Sequence, residues 1–237
     1  MASSEQIRDD DRRRIKEQAE RDAKWLGLML LAALSGGRGI DLSGQGIAWN
    51  LNERRFYVNG RPVPIEVIRG YLTRIETRLS ARLIRITDKL TAGGITIGQW
   101  RAEFRDTIGS AHILAAGLAL GSVAAAIANV TVMRRVSVEW YYIRGFADDL
   151  TSGKGISPGS LNRRIRSYLM AASVTYGVIE QAVQIASGKA EAMRIRRASE
   201  SCIGCIHYAG QWMPIHQMPV IGSLQCGQYC RCYIVYR

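Results

Sequence analysis

Residues 64–91 read PIEVIRGYLTRIETRLSARLIRITDKLT, and their apolar spacing predicts a long amphipathic helix. Apolar residues recur every three or four positions, as one face of an α-helix requires, at Ile68, Leu72, Ile75, Leu79, Leu83, Ile86 and Leu90. Pro64 suits the first helical turn, where its missing N–H costs nothing. The pattern favours a mainly α fold with this helix in its core.

The same helix carries a basic stripe beside the apolar one, formed by Arg74, Arg78, Arg82 and Arg85. A second basic group lies in the first turn of a later predicted helix, where the helix dipole disfavours positive charge, and consists of Arg163, Arg164 and Arg166. Both groups fit a solvated surface. For the stripe of four arginines the solvated surface is the favoured reading, and contact with nucleic-acid phosphates or with an acidic partner is the alternative for both groups.

The sequence before Pro64 predicts a helix, a linker and a hairpin. Residues 9–34 begin with charged side chains, continue with apolar ones and precede a glycine pair, which predicts a helix and its end. Residues 35–48 are glycine-rich and predict a linker. Residues 55–63 predict a β-hairpin, because Asn59-Gly60 is a pair that two-residue turns favour.

The sequence after residue 91 predicts further helices. Thr96 and Gln99 have capping-box spacing, so a second helix should begin there, with an inner face of Trp100, Phe104, Ile108 and Ala111. This helix is expected to enter residues 111–132, which contain no Asp, Glu, Lys or Arg. That run fits a buried central helix, although its length alone also fits a membrane span.

The remaining pattern completes the predicted organisation. Helices are expected over residues 136–150 and 161–186, separated by a glycine-proline loop, and a strand over 192–199. The predicted units are an N-terminal helix or arm (1–36), a linker with a β-hairpin (37–64), a helical body (65–190) and a cysteine-rich β-knuckle (191–237).

All five cysteines lie in the last 36 residues, as Cys202, Cys205, Cys226, Cys230 and Cys232. A C-x2-C pair and a later C-x3-C pair can close a tetrahedral zinc site, and four-coordinate zinc needs only four of the five cysteines. Cys202 and Cys205 form the firmest pair, whereas Cys232 can replace either Cys226 or Cys230. Nearby His207 fits a surface histidine better than a ligand.

Disulfides and free thiols are the alternatives to zinc. Five cysteines cannot all pair within one chain, and the charged residues 1–16 do not form a signal peptide, which favours a reducing cytosol. Residues 206–225 contain no carboxylate to act as a general base, so a metal here should be structural. Gly204, Gly222 and Gly227 are expected to supply unusual backbone angles.

Composition limits the possible functions. The 237 residues are 47% hydrophobic, which supports a folded core, and their formal net charge of +12 favours nucleic acid, acidic proteins or anionic lipid as partners. The sequence contains no Walker loop, no H-E-x-x-H and no G-x-S-x-G motif. We therefore predict no enzymatic activity.

The cysteine-rich end resembles a known family. Four segments carry the resemblance, namely residues 197–205 (RASESCIGC), 209–214 (AGQWMP), 219–222 (PVIG) and 226–232 (CGQYCRC). They are similar to the end of the Mu F-type minor head proteins of tailed bacteriophages, also called head morphogenesis proteins. Many members have His-Pro before the terminal C-R-C; here Cys226 takes the place of that histidine, which leaves the ligand set open.

The resemblance implies a structural role. It predicts a low-copy virion protein bound to the portal inside the capsid and made in the host cytoplasm. Its action would be in head assembly and in DNA packaging or ejection. The implied partners are the portal protein, other head proteins and packaged DNA, without a small-molecule substrate or a membrane.

Two other functions stay open. A zinc-knuckle nucleic-acid-binding protein would bind mainly through the arginines around the cysteines, which are Arg194, Arg196, Arg197 and Arg231. Against this reading, the loop between the cysteine pairs has no Lys or Arg. A membrane-active protein would use residues 111–132.

Overall fold

A computed structural model describes residues 13–19, 21, 47–50, 55–58, 61–154, 157–197, 201–227, 230 and 232–237. In these residues, helices predominate and two small antiparallel sheets flank them in the sequence. The prediction of a mainly α fold with a small hairpin and a cysteine-rich β-knuckle is confirmed.

The first sheet is larger than the predicted hairpin. Its strands are β1 (Ile47–Asn50), β2 (Arg55–Val58) and β3 (Arg61–Pro62), in the order β1-β2-β3. Val58 pairs with Arg61, so the predicted turn residues, which lie outside the described part, connect β2 to β3. The sequence did not predict β1. The linker predicted over residues 35–48 is therefore wrong at residues 47 and 48, which belong to a strand that pairs with β2.

Five helices in the described residues build the body. They are α1 (Ile65–Thr91), α2 (Ile97–Leu120), α3 (Val123–Ala128), α4 (Val130–Ser152) and α5 (Pro158–Ala186). α2 packs against the other four and is the centre of the body. Thr96 caps α2 in the predicted capping box, and Ser157 caps α5 in a second one. Because Pro158 fits the first turn, α5 begins earlier than predicted.

The expected continuous helix over residues 111–132 is wrong. α2 ends at Gly121, whose φ is 73°, and the Ser122 hydroxyl accepts from the Ala125 N–H to begin α3. Asn129 then caps α4 by accepting from the N–H groups of Thr131 and Val132. The Ser122 and Asn129 side chains accept hydrogen bonds from backbone N–H groups that would otherwise lack a partner at the start of a helix. As a result, α4 begins at Val130 rather than at the predicted residue 136. Among the described residues, no helix is long and apolar enough to cross a membrane.

The hydrophobic core follows the predicted stripes. Trp100, Phe104, Ile108 and Ala111 on α2 are fully buried. The stripe of α1 is buried at five positions and half-buried at Leu72 and Leu90. The stripe of α5 is buried throughout, at Ile165, Leu169, Ala172, Tyr176, Ile179 and Val183. The apolar faces of α1 and α5 thus pack against α2.

The N-terminal segment joins the same core. Residues 13–19 are helical, and Ile15 and Ala19 are fully buried in the main hydrophobic cluster. A Cβ at Gly109 of α2 would lie 3.1 Å from the Ile15 side chain, so glycine permits this close approach. Most of the apolar half of the helix predicted over 9–34 lies outside the described residues.

The second sheet forms around a strand that follows α5. Its strands are β4 (Glu191–Ile195), β5 (Trp212–Pro214) and β6 (Tyr233–Tyr236), with β4 in the middle of the order β5-β4-β6. The short helix α6 (Ile203–His207) lies between β4 and β5 in the sequence. β4 therefore ends earlier than the strand predicted over 192–199.

Candidate metal centre

The five cysteine sulfurs gather into two overlapping groups. Cys202, Cys205 and Cys226 form one, and Cys205, Cys230 and Cys232 form the other; within each, the sulfurs lie within 4.8 Å of one another. Cys205 Sγ lies 3.3 Å from Cys226 Sγ and 3.6 Å from Cys230 Sγ. Cys205 is therefore the centre of the cluster.

Local structure brings the two ends of the tail together. Cys202 is the N-cap of α6, and its sulfur accepts from the Cys205 N–H at 3.4 Å. The expected positive φ is found at Gly222 (88°) and Gly227 (48°), where the second cysteine segment turns. For Gly204 the expectation is wrong, because this glycine is a helical residue of α6. The glycine packs beside Leu224, whose side chain lies 3.4 Å from where a Cβ would stand.

The cysteines form no disulfide in this structure. All five are free, and 3.3 Å between two sulfurs far exceeds a disulfide bond of about 2.05 Å. The hydrogen bond from the Cys205 N–H lowers the pKa of Cys202 to about 7. Burial raises the pKa of Cys205, and burial likewise raises the pKa of Cys226 to about 12. A metal ion bound here would deprotonate its thiol ligands, because coordination stabilises the thiolate.

The cluster could hold a metal ion. Its donor set fits a soft metal, because thiolates prefer such ions to Mg²⁺ or Ca²⁺. His207 is exposed and belongs to neither sulfur group, as expected of a surface histidine. Sulfur donors partly sheltered from water suit a structural role.

A buried arginine lies against the sulfurs. Arg194 of β4 is fully buried, and its Nη1 is 3.5 Å from Cys205 Sγ and 3.7 Å from Cys230 Sγ. Its Nη2 donates to the carbonyls of Pro219 and Val220. Sequence reasoning placed Arg194 among nucleic-acid contacts; that placement is wrong, because strand alternation turns it inward with Ala192. The sequence showed that side chains alternate between the two faces of this strand, but it did not show which face is buried.

Two polar contacts fix the cysteine-rich tail to α5. The Gln181 side-chain amide donates to the carbonyls of Ile215 and Met218, the latter at 2.8 Å. Glu180 accepts from the Tyr176 hydroxyl at 2.9 Å and from the Tyr236 hydroxyl of β6 at 3.4 Å. Sequence reasoning missed both residues, because their partners are distant in the chain.

A cleft of about 110 Å³ opens beside these contacts. Its lining comes from α1, α5 and the tail and includes Arg69, Glu76, Tyr176, Glu180, Cys230 and Ile234. Burial raises the pKa of Glu180 from 4.5 to about 7, against the lowering effects of the tyrosine hydroxyls and Arg69. The carboxyl is thus easier to protonate than an ordinary glutamate.

We expect Glu180→Gln to stabilise the protein at pH 8 by about 1–2 kcal/mol, after discounting for exposure to the cleft. The folded-state pKa is the higher one, so the stabilising effect of the protonated group is complete below pH 4.5 and is lost as pH rises through about 7. The gain should therefore disappear near pH 5. Denaturant unfolding at both pH values tests this, with exposed Glu103→Gln as control; an equal effect at both values contradicts it.

The predicted contact arginines lie on two helices and are partly engaged within the protein. On α1, Arg74, Arg78 and Arg85 are exposed and Arg82 is half-buried. On α5, Arg164 pairs with Asp149 at 2.5 Å and lies over the Phe146 ring. Arg163 and Arg166 are exposed, and the charge of Arg166 acts on Glu76 of α1. The contacts of Arg164 explain one arginine at the helix start without an external partner.

The other arginines near the cysteines differ from Arg194. Arg196 and Arg197 are exposed, and the Arg197 guanidinium lies 5.0 Å from the centre of the Tyr233 ring. Arg231 lies outside the described residues.

We compared the chain with models of protein families, with curated proteins and with solved structures, and none of the three comparisons found a match.

Proposed function

We propose that this protein is a structural minor head protein of a tailed bacteriophage whose C-terminal unit is held together by one zinc ion. The observation that carries the proposal is the gathering of all five sulfurs, those of the C-x2-C and C-R-C segments and that of Cys226, with Cys205 at the centre. These are the segments that resemble the Mu F-type family. Cysteines without a shared task have no reason to converge in this way.

Zinc fits the donor set best. Structural zinc takes four thiolates and needs no open coordination position. The proposed ligands are Cys202, Cys205, Cys226 and Cys230, with buried Cys232 as a neighbouring fifth thiol. Residues 206–225 offer no carboxylate to activate a metal-bound water, so the proposed ion serves folding rather than catalysis.

The small core of the tail explains why it would need a metal. The buried apolar residues of its cluster are few, namely Ala192, Ile215, Met218 and Ile234. A unit of this size gains little from hydrophobic burial alone, and small domains commonly add a metal or disulfides. Metal binding then contributes directly to folding free energy.

The basic surface supports a position beside packaged DNA. The formal net charge is +12, and exposed arginines of α1 and α5 contribute to it. Such charges bind phosphates in a sequence-independent and salt-sensitive manner. The proposed protein partners are the portal and other head proteins.

Metal content tests the zinc site. Elemental analysis of protein purified without chelator should give one zinc per chain, and thiol reagents should reach the ligand cysteines fully only after chelation. A metal-free protein with fewer than five reactive thiols after denaturation would instead indicate disulfides and contradict the site.

A second experiment tests the virion role. Mass spectrometry of purified phage particles from the source of this sequence should detect the chain at low copy number, and deletion of its gene should reduce the yield of infectious particles. Its absence from the particles, together with salt-dependent binding to free DNA, would favour a nucleic-acid-binding protein outside the virion.

A further inference from the structure

Arg194 presents an electrostatic problem. Its side chain is fully buried in the middle strand of the second sheet. Burying a guanidinium carries a large desolvation penalty unless an anion lies beside it. Among the residues that the structure describes, no carboxylate forms an ion pair with Arg194.

Among the described residues, the hydrogen-bond partners of the Arg194 guanidinium are two carbonyls and two sulfurs. The Pro219 and Val220 carbonyls accept from Nη2, and these neutral acceptors satisfy hydrogen bonds without neutralising the charge. Nη1 points toward the sulfurs of Cys205 and Cys230 at 3.5 and 3.7 Å. Within the described part of the chain, the anion that Arg194 needs is therefore available only if the cysteines are thiolates.

We propose that Arg194 is the buried counter-ion of a metal–thiolate centre. A divalent ion held by four thiolates carries a net negative charge, which the guanidinium offsets while donating to two of the sulfurs. A disulfide is neutral and would leave the arginine unpaired, so the arginine favours the metal-bound state over the oxidised one. This inference rests on the proposed zinc site and assigns Arg194 a positioning role within it.

Arg194→Met tests the inference, because methionine is of similar length and uncharged. Arg196→Met is the matched control, since Arg196 is exposed one residue beyond β4. Competition with a chromophoric zinc chelator should show about 10–100-fold weaker zinc binding for Arg194→Met, the range typical of replacing a residue that hydrogen-bonds to metal ligands. The control should bind zinc as the unmodified protein does.

Two further measurements separate charge from packing. Arg194→Lys keeps the charge and loses the planar fork, so its zinc affinity should lie between those of the unmodified protein and Arg194→Met. Relative to the unmodified protein, Arg194→Met should lower the thermal unfolding temperature more with zinc bound than after the zinc has been removed by a chelator. A residue needed only for packing would give equal losses in both states.

Three outcomes would overturn the counter-ion role: unchanged zinc affinity in Arg194→Met, equal affinities for the Lys and Met variants, or equal stability losses with and without zinc. None of these three outcomes contradicts the proposed zinc site itself. If the unmodified protein binds no zinc in the same assay, the site and the role of Arg194 fail together.

Discussion

Cys205→Ser is expected to abolish stoichiometric zinc binding and to unfold residues 191–237. Cys205 belongs to both sulfur groups, so no four-thiolate set that includes either group survives its loss. Structural zinc contributes about 10–16 kcal/mol of apparent binding free energy in small metal-dependent folds. The tail has too small an apolar core to replace that contribution.

The loss should be confined to the tail. Of the described residues in the cysteine-rich segment, none belongs to the main hydrophobic cluster, so the helical circular-dichroism signal should largely remain. Limited proteolysis should cut the variant after Ala186 while the body persists. Cys232→Ser is the matched control and should retain zinc, because the proposed ligands remain. A Cys205→Ser protein that still holds one zinc per chain would contradict the site.

Trp100→Ala should destabilise the helical body by about 3–5 kcal/mol. Trp100 is fully buried, lies 4.7 Å from the Phe104 ring centre and meets Phe146 edge-on at 5.3 Å. Its Nε1–H donates to the Thr87 hydroxyl at 3.0 Å, which links α2 to α1. Alanine would leave a cavity and remove this buried hydrogen bond.

Thermal unfolding measures this effect. A loss of that size lowers Tm by about 6–20 °C for a protein of this length. Tyr141→Ala is the control, since Tyr141 is 54% exposed on α4 and should change stability by about 0.5 kcal/mol or less. A Trp100→Ala protein within 1 °C of the unmodified one would mean that this aromatic cluster does not stabilise the body.

The sequence predicted the long helices because their apolar spacing is regular. The stripes of α1 and α5 each repeat over many turns, and the burial of both follows that repeat. The run over 111–132 has no such repeat, since alanine and glycine dominate it. The helix ends at Gly121 because of its left-handed backbone conformation, and a new helix begins after Asn129 because its side chain accepts hydrogen bonds from the next turn. The spacing of apolar residues contains no information about either effect.

The cysteine cluster was predictable and its surroundings were not. Spacing alone indicated which sulfurs could converge, because ligand pairs sit on short turns. The orientation of Arg194 depends on which face of β4 is covered, and that face is set by the tertiary fold. Likewise, Glu180 meets Tyr236 across 56 residues of sequence, a distance over which local patterns carry no information.

The strand order of the second sheet determines when the tail can assemble. The middle strand, β4, is synthesised before both of its neighbours, and β6 follows it by about 40 residues. All five helices of the body precede β4 in the sequence, so the body should form earlier during translation. Until Cys226 and Cys230 are synthesised, the nascent chain offers only the first cysteine pair, so binding of the proposed zinc would follow the formation of the helices.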